Sequence, residues 1–394
     1  MWGNSKGQII VPTGGGKTMC MIDDALLYLT GRFKTVVVVA PRILLAEQLS
    51  SEFLEVIKKE YQFINVLHVH SGETHHFSTT NADEIREWDK VNGNKFIFTT
   101  YHSLHRIQEA EIEVDTIYFD EAHNSVQKNF VEATEYQSMY ANRCYFFTAT
   151  PKHSKTPFKI GMNDYDIYGR VLVNVPAPKL VDEGVILPPK VTIKKIDVVD
   201  DSRFKHEHDC DHVVSTIDEI DIDKVLICAR STKQIVNLVS QSDFCIELRD
   251  RGYSWMYITA KTGAVVDGKK VDRESFFNTL NEWGKDDTKK FVIFHYSILS
   301  EGINVPGLTH SVMLRNLPTI EMAQTIGRVI RIHEKDRVSM KEGKIPAGQY
   351  NLYHKSFGQI VVPMTGKYGE RIAKRLQSIV SYIFIEGIPP RAYV

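Results

Sequence analysis

The segment Val11–Thr18, with the sequence Val-Pro-Thr-Gly-Gly-Gly-Lys-Thr, constrains the fold of this chain more than any other. The apolar run Gln8–Val11 ends there and a helical pattern of apolar residues begins, which predicts a loop between a strand and a helix. The three glycines, Gly14–Gly16, permit positive φ and bring successive backbone N–H groups close to anionic oxygens. In such a loop Lys17 reaches the terminal phosphates of a nucleotide, and the Thr18 hydroxyl holds Mg²⁺. The segment therefore predicts a phosphate site at the amino end of a helix.

The residues after this loop alternate between helical and strand patterns. Apolar residues at helical spacing continue to Leu29, and Gly31 is placed to end that helix. The run Val36–Ala40 is continuously apolar and rich in valine, which is typical of a strand buried on both faces of a parallel sheet. Further short apolar strands are predicted at Asn65–Val69, Phe96–Thr100, Thr116–Phe119 and Cys144–Phe147. This alternation predicts a doubly wound α/β domain that binds its ligand at the carboxyl ends of the strands.

Two of the predicted strand ends carry chemical groups. The strand Thr116–Phe119 runs directly into Asp120 and Glu121, so two carboxylates stand at the ligand edge of the sheet. At a nucleotide site Asp120 would help to hold Mg²⁺, and Glu121 would orient and deprotonate an attacking water. The strand that ends at Phe147 is followed by Thr148-Ala149-Thr150, which adds hydroxyl groups at the same edge. The pattern is that of a P-loop nucleotide hydrolase.

Taken in chain order, these segments resemble the motifs of superfamily 2 helicases. Motifs I, Ia, Ib, II and III correspond to Pro12–Thr18, Ala40-Pro41-Arg42, Thr99-Thr100-Tyr101, Asp120-Glu121-Ala122-His123 and Thr148-Ala149-Thr150. Motifs IV, V and VI correspond to Arg230–Lys233, Ser300–Pro306 and Gln324–Arg331. Motif II has the DEAH-box spelling, and Val11 replaces the glycine of the strict P-loop pattern, which excludes many kinases and small GTPases as models. Motifs V and VI are most similar to those of phage recombination helicases and of the motor subunits of type I and type III restriction enzymes.

The resemblance implies a P-loop NTPase of the α/β class with two tandem RecA-like domains, parallel sheets and a short C-terminal helical extension. The expected boundaries are 1–155 for the first domain, 156–190 for an interdomain segment, 191–344 for the second domain and 345–394 for the extension. Strands of the second domain are predicted at Val225–Ala229, Trp255–Thr259, Lys290–Phe294 and Ser311–Leu314. In the extension we predict a strand at Gln349–Tyr353 and a helix at Glu370–Phe384.

The resemblance also implies ATP as substrate, Mg²⁺ as cofactor and a role for each motif residue. The catalytic residues are Lys17, Asp120, Glu121, Arg328 and Arg331, and the metal is held by Thr18 and Asp120. Nucleotide contacts fall on Pro12, Thr13, Gly14, Gly15, Gly16, Lys17, Thr18, Gly302, Asn304 and Gln324. Hydrolysis is coupled to movement by His123, Thr148 and Thr150. Nucleic-acid contacts, which carry no sequence information when they are made to phosphate, fall on Arg42, Thr100, Tyr101 and Ser231.

Motif VI has a physical logic of its own. A helix predicted over Ile320–Ile332 and capped by Thr319 spaces Gln324, Arg328 and Arg331 at i, i+4 and i+7, and therefore on one face. Arginines fixed in this way can meet the γ-phosphate of a nucleotide. By the resemblance, Arg331 is the arginine finger and Arg328 a second phosphate contact.

The bulk composition restricts partners and compartment. Lys and Arg number 48 against 49 Asp and Glu, a net charge of -1, so any nucleic-acid surface must be local. The five cysteines are scattered without a CxxC pair, which favours reduced thiols. No apolar stretch approaches the length of a membrane span, so we expect a soluble, intracellular protein. The resemblance implies the cytoplasm of a bacterium or of a phage-infected host. Histidine-rich stretches at 68–76 and 206–212 lack the spacing of a zinc site and are predicted to be solvated loops.

One departure from the family concerns adenine. Superfamily 2 proteins usually carry a glutamine upstream of motif I that reads the base, whereas ten residues precede Val11 here. Gln8 lies in the predicted strand, and its position alone does not assign it the role of that glutamine. We therefore expect weak adenine recognition, or an upstream segment that is missing or supplied by another chain.

The predicted function is an ATP-dependent nucleic-acid helicase or translocase that acts on DNA, with a role in recombination or repair. Three alternatives stay open at this point. They are an RNA helicase, a restriction-type translocase subunit with a nuclease-bearing partner, and a nucleotide-gated nucleic-acid-binding module with little turnover.

Overall fold

The chain divides into two compact units, each described below by itself. A computed structural model describes residues 5–72, 74–196, 203–220, 223–259, 262–296, 305–364 and 366–394. The first unit comprises residues 1–176 and 389–394, and the second comprises residues 177–388. Residues 156–190, expected to form an interdomain segment, contribute elements to both units, and the domain boundaries stay a prediction. No helix of the described segments is long and apolar enough to cross a membrane.

The first unit is built on a parallel sheet of seven strands in its described part. The strands are β1 (Lys6–Ile10), β2 (Thr35–Ala40), β3 (Ile64–Val69), β4 (Asn94–Thr100), β5 (Thr116–Phe119), β6 (Arg143–Thr148), the two-residue β7 (Lys152–His153), which lies outside this sheet, and β8 (Val171–Asn174). The order across the sheet is β3-β4-β2-β5-β6-β1-β8. All six residues of β2 are buried, as the valine-rich run predicts.

Helices cover both faces of this sheet. They are α1 (Lys17–Tyr28), α2 (Ile43–Glu60), α3 (Ala82–Trp88), α4 (Leu104–Glu109), α5 (Lys128–Tyr140) and α6 (Tyr165–Tyr168), with a 3₁₀ turn at Ala122–Asn124. Phe53 of α2 packs against the rings of Phe96, Phe98 and Tyr118 on one face. On the other face α3, α4 and α5 share a core with Val37 of β2. The doubly wound α/β architecture predicted from the sequence is confirmed.

The second unit is built on a mixed sheet. Its strands are β9 (Pro189–Lys195), β10 (Lys224–Cys228), β11 (Tyr253–Thr259), β12 (Gly263–Val266), β13 (Lys269–Val271), β14 (Lys290–His295), β15 (His310–Met313) and β16 (Gly358–Met364), in the order β13-β12-β11-β14-β10-β15-β16-β9. The six strands from β11 to β9 are parallel. The parallel part of the sheet is extended at one edge, where β12 and β13 form an antiparallel hairpin on β11. Asp267 and Gly268 have φ of 44° and 81°, the left-handed geometry that a tight hairpin turn requires.

One helix of the second unit occupies a tract that the sequence analysis predicted to be a loop. The helices of this unit are α7 (Ala177–Asp182), α8 (Lys205–Ile220), α9 (Thr232–Gln241), α10 (Phe244–Asp250), α11 (Arg273–Lys285), α12 (Thr319–Val329), α13 (Glu334–Lys341) and α14 (Gly366–Val380), followed by a π-helical turn at Ser381–Ile385. The polar tract 206–212, predicted to be a solvated loop, forms the first turns of α8. The reason is that Cys210, Val213 and Ile217 lie at helical spacing and are buried in the core of the second unit.

The C-terminal region contributes strands to both units. The strand predicted at Gln349–Tyr353 is wrong, because Tyr350–Leu352 form a 3₁₀ turn and the strand is β16, which pairs with β15 and β9 inside the sheet. The predicted helix is confirmed as α14. The chain then returns to the first unit, where β17 (Ala392–Tyr393) pairs in parallel with β7 directly after motif III.

Two of the histidines around β3, His68 and His70, are buried, contrary to the prediction of a solvated loop, whereas His75 is exposed. His68 has no exposed surface, and its Nδ1 and Nε2 lie 3.0 Å from His70 Nε2 and 3.1 Å from Ser50 Oγ. His76 stacks on the ring of His68. Among the described residues no group of three or more His, Cys, Asp or Glu side chains is arranged to hold a metal ion. The cluster therefore belongs to the core of the first unit.

We expect this cluster to make the first unit sensitive to mild acid. Burial, and the neighbouring His70 and His76, lower the pKa of His68 to about 3. The unfolded chain binds a proton below about pH 6.5 and the folded chain does not, so the contribution is complete above pH 6.5 and is lost as the pH falls. His68 alone accounts for about 2 kcal/mol between pH 7 and pH 5.

The measurement is the free energy of unfolding of His68→Gln at several pH values. We expect its loss between pH 7 and pH 5 to be smaller than that of the unsubstituted chain. The exposed His105, replaced as His105→Gln, serves as the control and should keep the original pH dependence. Identical pH dependence in the His68 variant would contradict the assignment.

Candidate active site

The loop between β1 and α1 has the geometry that the glycines predict. Gly14 and Gly16 have φ of 85° and 87°, a backbone conformation that residues with a Cβ rarely adopt. The N–H of Gly15 donates to the carbonyl oxygen of Pro12 at 2.9 Å, and α1 begins at Lys17. The first turn of a helix leaves backbone N–H groups without intrahelical partners, so an anion fits at this end of α1.

The acidic pair lies at the carboxyl end of β5, two strands away from β1 in the sheet. Asp120 and Glu121 are buried, with 6% and 4% of their surface exposed. Glu121 has φ of 45°, which a non-glycine residue adopts at a cost in free energy. Its Oε1 lies 3.6 Å from Nζ of Lys17. The structure thus brings the loop lysine and the second acid of motif II together, although they are far apart in sequence.

The electrostatics of this pair suit a divalent cation. Burial, and then the charge of Glu121, raise the pKa of Asp120 well above its usual range, and the charge of Lys17 opposes the shift. Two buried carboxyl groups side by side repel each other when both are ionised, and a bound cation would relieve that repulsion. Carboxylate and hydroxyl oxygens are the ligands that Mg²⁺ prefers. Thr18 and Asp120 therefore fit the predicted metal site in the chemistry of their donor atoms.

Motif III contacts motif II through His123. Its Nδ1 lies 3.1 Å from Thr148 Oγ1, 3.4 Å from Thr150 Oγ1 and 3.5 Å from Glu121 Oε2. The Thr150 N–H donates to Thr148 Oγ1 at 3.0 Å. These residues form one connected polar group at the ends of β5 and β6. The predicted coupling role of His123, Thr148 and Thr150 stays a prediction.

Two supports behind the acidic pair were not foreseen from the sequence. The Tyr101 hydroxyl donates to the carbonyl oxygen of Asp120 at 2.8 Å. On the other face Asp24 of α1 accepts two hydrogen bonds from Nη2 of Arg143, at 2.7 and 2.8 Å, and one from the Tyr118 hydroxyl at 2.6 Å. This network fixes α1, which carries Lys17, against β5 and β6. A detectable signal was the acidic Asp24 on the apolar side of α1, since a buried acid needs a partner.

Gln8 is used within the first unit. Its Nε2 donates to the carbonyl oxygens of Met162 and Gly169 at 2.8 and 2.9 Å, and its side chain is buried. The amide therefore fastens the segment after motif III to β1.

The arginines of motif VI are not on one helical face, which corrects the prediction. Gln324 and Arg328 lie on α12 and are buried, but α12 begins at Thr319 after Pro318 and ends at Val329. Arg331 follows the helix and forms an antiparallel bridge with Ile186. Helix continuation is prevented because this segment pairs with residues before β9 and packs against Gly358, where a Cβ would approach Val329 O to 2.6 Å.

Motif V lies outside the described residues apart from its last two positions, so the predicted contacts of Gly302 and Asn304 stay predictions. Gln324 is described, and its Nε2 has no hydrogen-bond partner among the described residues. A buried amide of this kind is costly unless a ligand pairs with it. The predicted nucleotide contact of Gln324 stays a prediction.

The predicted nucleic-acid contacts differ in how available they are. Arg42 precedes α2 in an extended conformation, and Ser231 caps α9 by accepting the N–H of Gln234 at 3.1 Å. Thr100 is buried at the end of β4. Tyr101 is buried as well, since it packs between the rings of Phe119 and Phe130 and donates to the backbone of Asp120. Contact with nucleic acid through Arg42, Thr100, Tyr101 and Ser231 stays a prediction.

Comparison with known proteins agrees with this geometry. Residues 2–153 match the sequence profile of the family described as type III restriction enzyme, res subunit. No curated protein matches the chain in sequence. The matched residues contain the phosphate loop, the acidic pair and motif III.

Solved structures extend the similarity to the second unit. The DNA-bound type ISP restriction-modification enzyme LlaBIII superposes on 99% of this chain with a TM-score of 0.67 and 17% identity. A putative HsdR subunit of a type I restriction enzyme from Vibrio vulnificus aligns with 100% of this chain over 65% of its own chain, with a TM-score of 0.57 and 14% identity. S. cerevisiae Dbp5 bound to RNA and ADP BeF3 covers 99% of this chain and 85% of its own, with a TM-score of 0.56 and 15% identity.

These comparisons confirm the resemblance to superfamily 2 helicases and restriction-enzyme motor subunits at the level of the fold. The two units are tandem RecA-like domains. The chain spans 30% of the length of LlaBIII, so the activity of that whole enzyme does not transfer to this chain.

Proposed function

We propose that this chain is an ATP-dependent motor that translocates on or unwinds DNA. The observation that carries the proposal is the convergence, at the carboxyl ends of β1, β5 and β6, of the loop lysine, the acidic pair and the His123 group. Lys17 follows β1, the acidic pair and His123 follow β5, and the threonines that contact His123 lie at the end of β6. Ligand sites in open parallel sheets are built in this way from the carboxyl ends of several strands.

The proposed reaction is in-line attack of water on the γ-phosphate of ATP. Glu121 orients the water and takes its proton, and the Lys17 ammonium neutralises charge on the phosphate oxygens. Thr18 and Asp120 would hold Mg²⁺, which supplies further positive charge to those oxygens when it is bound. Arg331 and Arg328 of the second unit complete the stabilisation of the transition state in this proposal.

DNA is favoured over RNA as the polymer because the similar proteins include restriction enzymes, which act on DNA. The family match is to a restriction-enzyme subunit, and LlaBIII is bound to DNA. The same observations make a restriction-type translocase subunit, working with a nuclease-bearing partner, the second candidate. A role in recombination or repair is supported only by the similarity of motifs V and VI to phage recombination helicases.

The proposal is tested by steady-state ATP hydrolysis of the purified chain. The chain is assayed alone and with single-stranded DNA, duplex DNA, branched DNA or RNA at equal nucleotide concentration. We expect stimulation by DNA, and we expect Lys17→Ala to reduce hydrolysis to the level of the blank because the phosphate charge is no longer neutralised. The exposed Lys90, replaced as Lys90→Ala, is the matched control.

The other outcomes distinguish the alternatives. Greater stimulation by RNA than by any DNA would indicate an RNA helicase. Nucleotide-dependent DNA binding without hydrolysis would indicate the gated binding module, and recovery of a nuclease with the chain would indicate the restriction-type subunit.

A further inference from the structure

Lys355 is a buried lysine to which no motif gives a role. It lies between the 3₁₀ turn Tyr350–Leu352 and β16, and 8% of its surface is exposed. Lysine is almost never fully buried unless it is paired, because its charged form loses hydration. The partners of its ammonium group therefore indicate why this residue type is present.

The ammonium group joins the segment that follows motif V to the last residue of motif VI. Nζ of Lys355 donates to the carbonyl oxygen of Leu308 at 2.6 Å and to that of Arg331 at 3.1 Å. Leu308 stands two residues after Pro306, the last residue of motif V, and Arg331 is the last residue of motif VI. One side chain thus fixes the distance between the two segments.

Lys355 is itself held in place by α13. The buried side chain of Asp336 accepts the N–H of His354 at 2.7 Å and the N–H of Lys355 at 3.0 Å. Asp336 is part of the helix that begins three residues after Arg331. The path from Arg331 through α13 to Lys355 and back to Arg331 is therefore closed by hydrogen bonds.

Arg331 needs such a support because it lies outside α12. On one side it bridges to Ile186, and the Leu187 N–H donates to Ile330 O at 2.7 Å. On the other side the Lys355 ammonium binds its carbonyl oxygen. Burial, and then the positive charge of Arg331, lower the pKa of Lys355 to about 7. The nitrogen keeps N–H groups to donate in both protonation states.

We propose that Lys355 is a positioning residue that fixes the backbone of Arg331 relative to motif V, and thereby places the guanidinium group for ATP hydrolysis. The inference rests on the proposed function. Misplacement of a transition-state contact by about 1 Å is enough to lower a rate by about 10²-fold. The effect of Lys355 is therefore expected in kcat and not in the binding of ATP by the first unit.

The test compares Lys355→Met with the unsubstituted chain in DNA-stimulated ATP hydrolysis. Methionine has a similar length but cannot donate to the two carbonyl oxygens. We expect kcat to fall roughly 10- to 100-fold and the KM for ATP to change less than about twofold. The exposed lysine of α13, replaced as Lys341→Met, is the control and should leave both constants unchanged.

A double-mutant cycle separates positioning from a general loss of structure. If Lys355 acts through Arg331, adding Lys355→Met to Arg331→Ala lowers the single-turnover rate no further than Arg331→Ala alone. Independent, multiplicative effects would overturn the inference, as would a folded Lys355→Met variant with kcat within about twofold of the original.

The remaining outcomes are also decisive. If Lys355→Met does not fold, Lys355→Gln, which keeps a donor for one carbonyl oxygen, replaces it in the same cycle, and an effect that multiplies with that of Arg331→Ala overturns the inference. An unsubstituted chain without hydrolysis defeats the proposed function itself. A chain that hydrolyses ATP and responds to Arg331→Ala but not to either Lys355 variant defeats only the positioning role.

Discussion

Replacement of Arg331 by alanine is expected to lower the kcat of DNA-stimulated ATP hydrolysis by roughly 10³-fold or more. An arginine that meets the γ-phosphate stabilises charge that develops only in the transition state, so its loss reduces kcat and leaves ATP binding by the first unit nearly unchanged. Single-turnover hydrolysis and equilibrium binding of a fluorescent ATP analogue measure the two effects separately.

The control for this prediction is Arg337→Ala. Arg337 lies on α13 and its side chain is 63% exposed, paired with Glu334. We expect this variant to hydrolyse ATP at the original rate. A kcat for Arg331→Ala above a tenth of the original value would contradict the finger assignment, and the same measurement on Arg328→Ala would then show whether the arginine of α12 has that role.

Replacement of Glu121 by glutamine is expected to lower kcat by roughly 10²- to 10⁴-fold. The amide has nearly the same shape as the carboxyl group but does not accept a proton from water. The substitution also removes the negative charge that pairs with Lys17 and repels the phosphates, so we expect ATP to bind at least as tightly as before. We therefore expect Glu121→Gln to bind ATP without hydrolysing it at a substantial rate.

The control for Glu121→Gln is Glu87→Gln, at an exposed ion pair with Lys90 on the first unit. Its hydrolysis rate should match that of the unsubstituted chain. Rapid hydrolysis by Glu121→Gln would contradict the role of Glu121 as base. Because Glu121 also contacts His123, the thermal stability of the variant is measured alongside, and a folded protein is required for the comparison.

The first unit was largely predictable because its signals are local. Each signal depends on residues that are close together in the sequence. The glycines predict the conformation of the loop, the valine run predicts that β2 is buried, and the acids mark the end of β5. Chain order then placed these groups at one edge of a parallel sheet. The contact between Lys17 and Glu121 follows from that topology.

The second unit shows where local reasoning fails. Helical spacing placed Arg331 on the face of Gln324, yet pairing with Ile186 and packing against Gly358 end α12 earlier. The composition of the polar tract at 206–212 predicts a loop, but the tract is helical because Cys210, Val213 and Ile217 are buried in the core of the second unit. The histidines near β3 are polar in composition, but they bond to one another and to Ser50 inside the first unit.

The sequence by itself determined the class of fold, the phosphate loop and the identity of the acidic pair, because these depend on residue type and spacing within a few turns of chain. Only the tertiary structure decided that Tyr101 supports Asp120, that Asp24 is tied to Arg143, and that Lys355 holds the backbone of Arg331. Each of these contacts joins residues far apart in sequence or beyond a helix end. Their partners are buried polar atoms, and the requirement that such atoms be satisfied becomes visible only when the fold has brought them together.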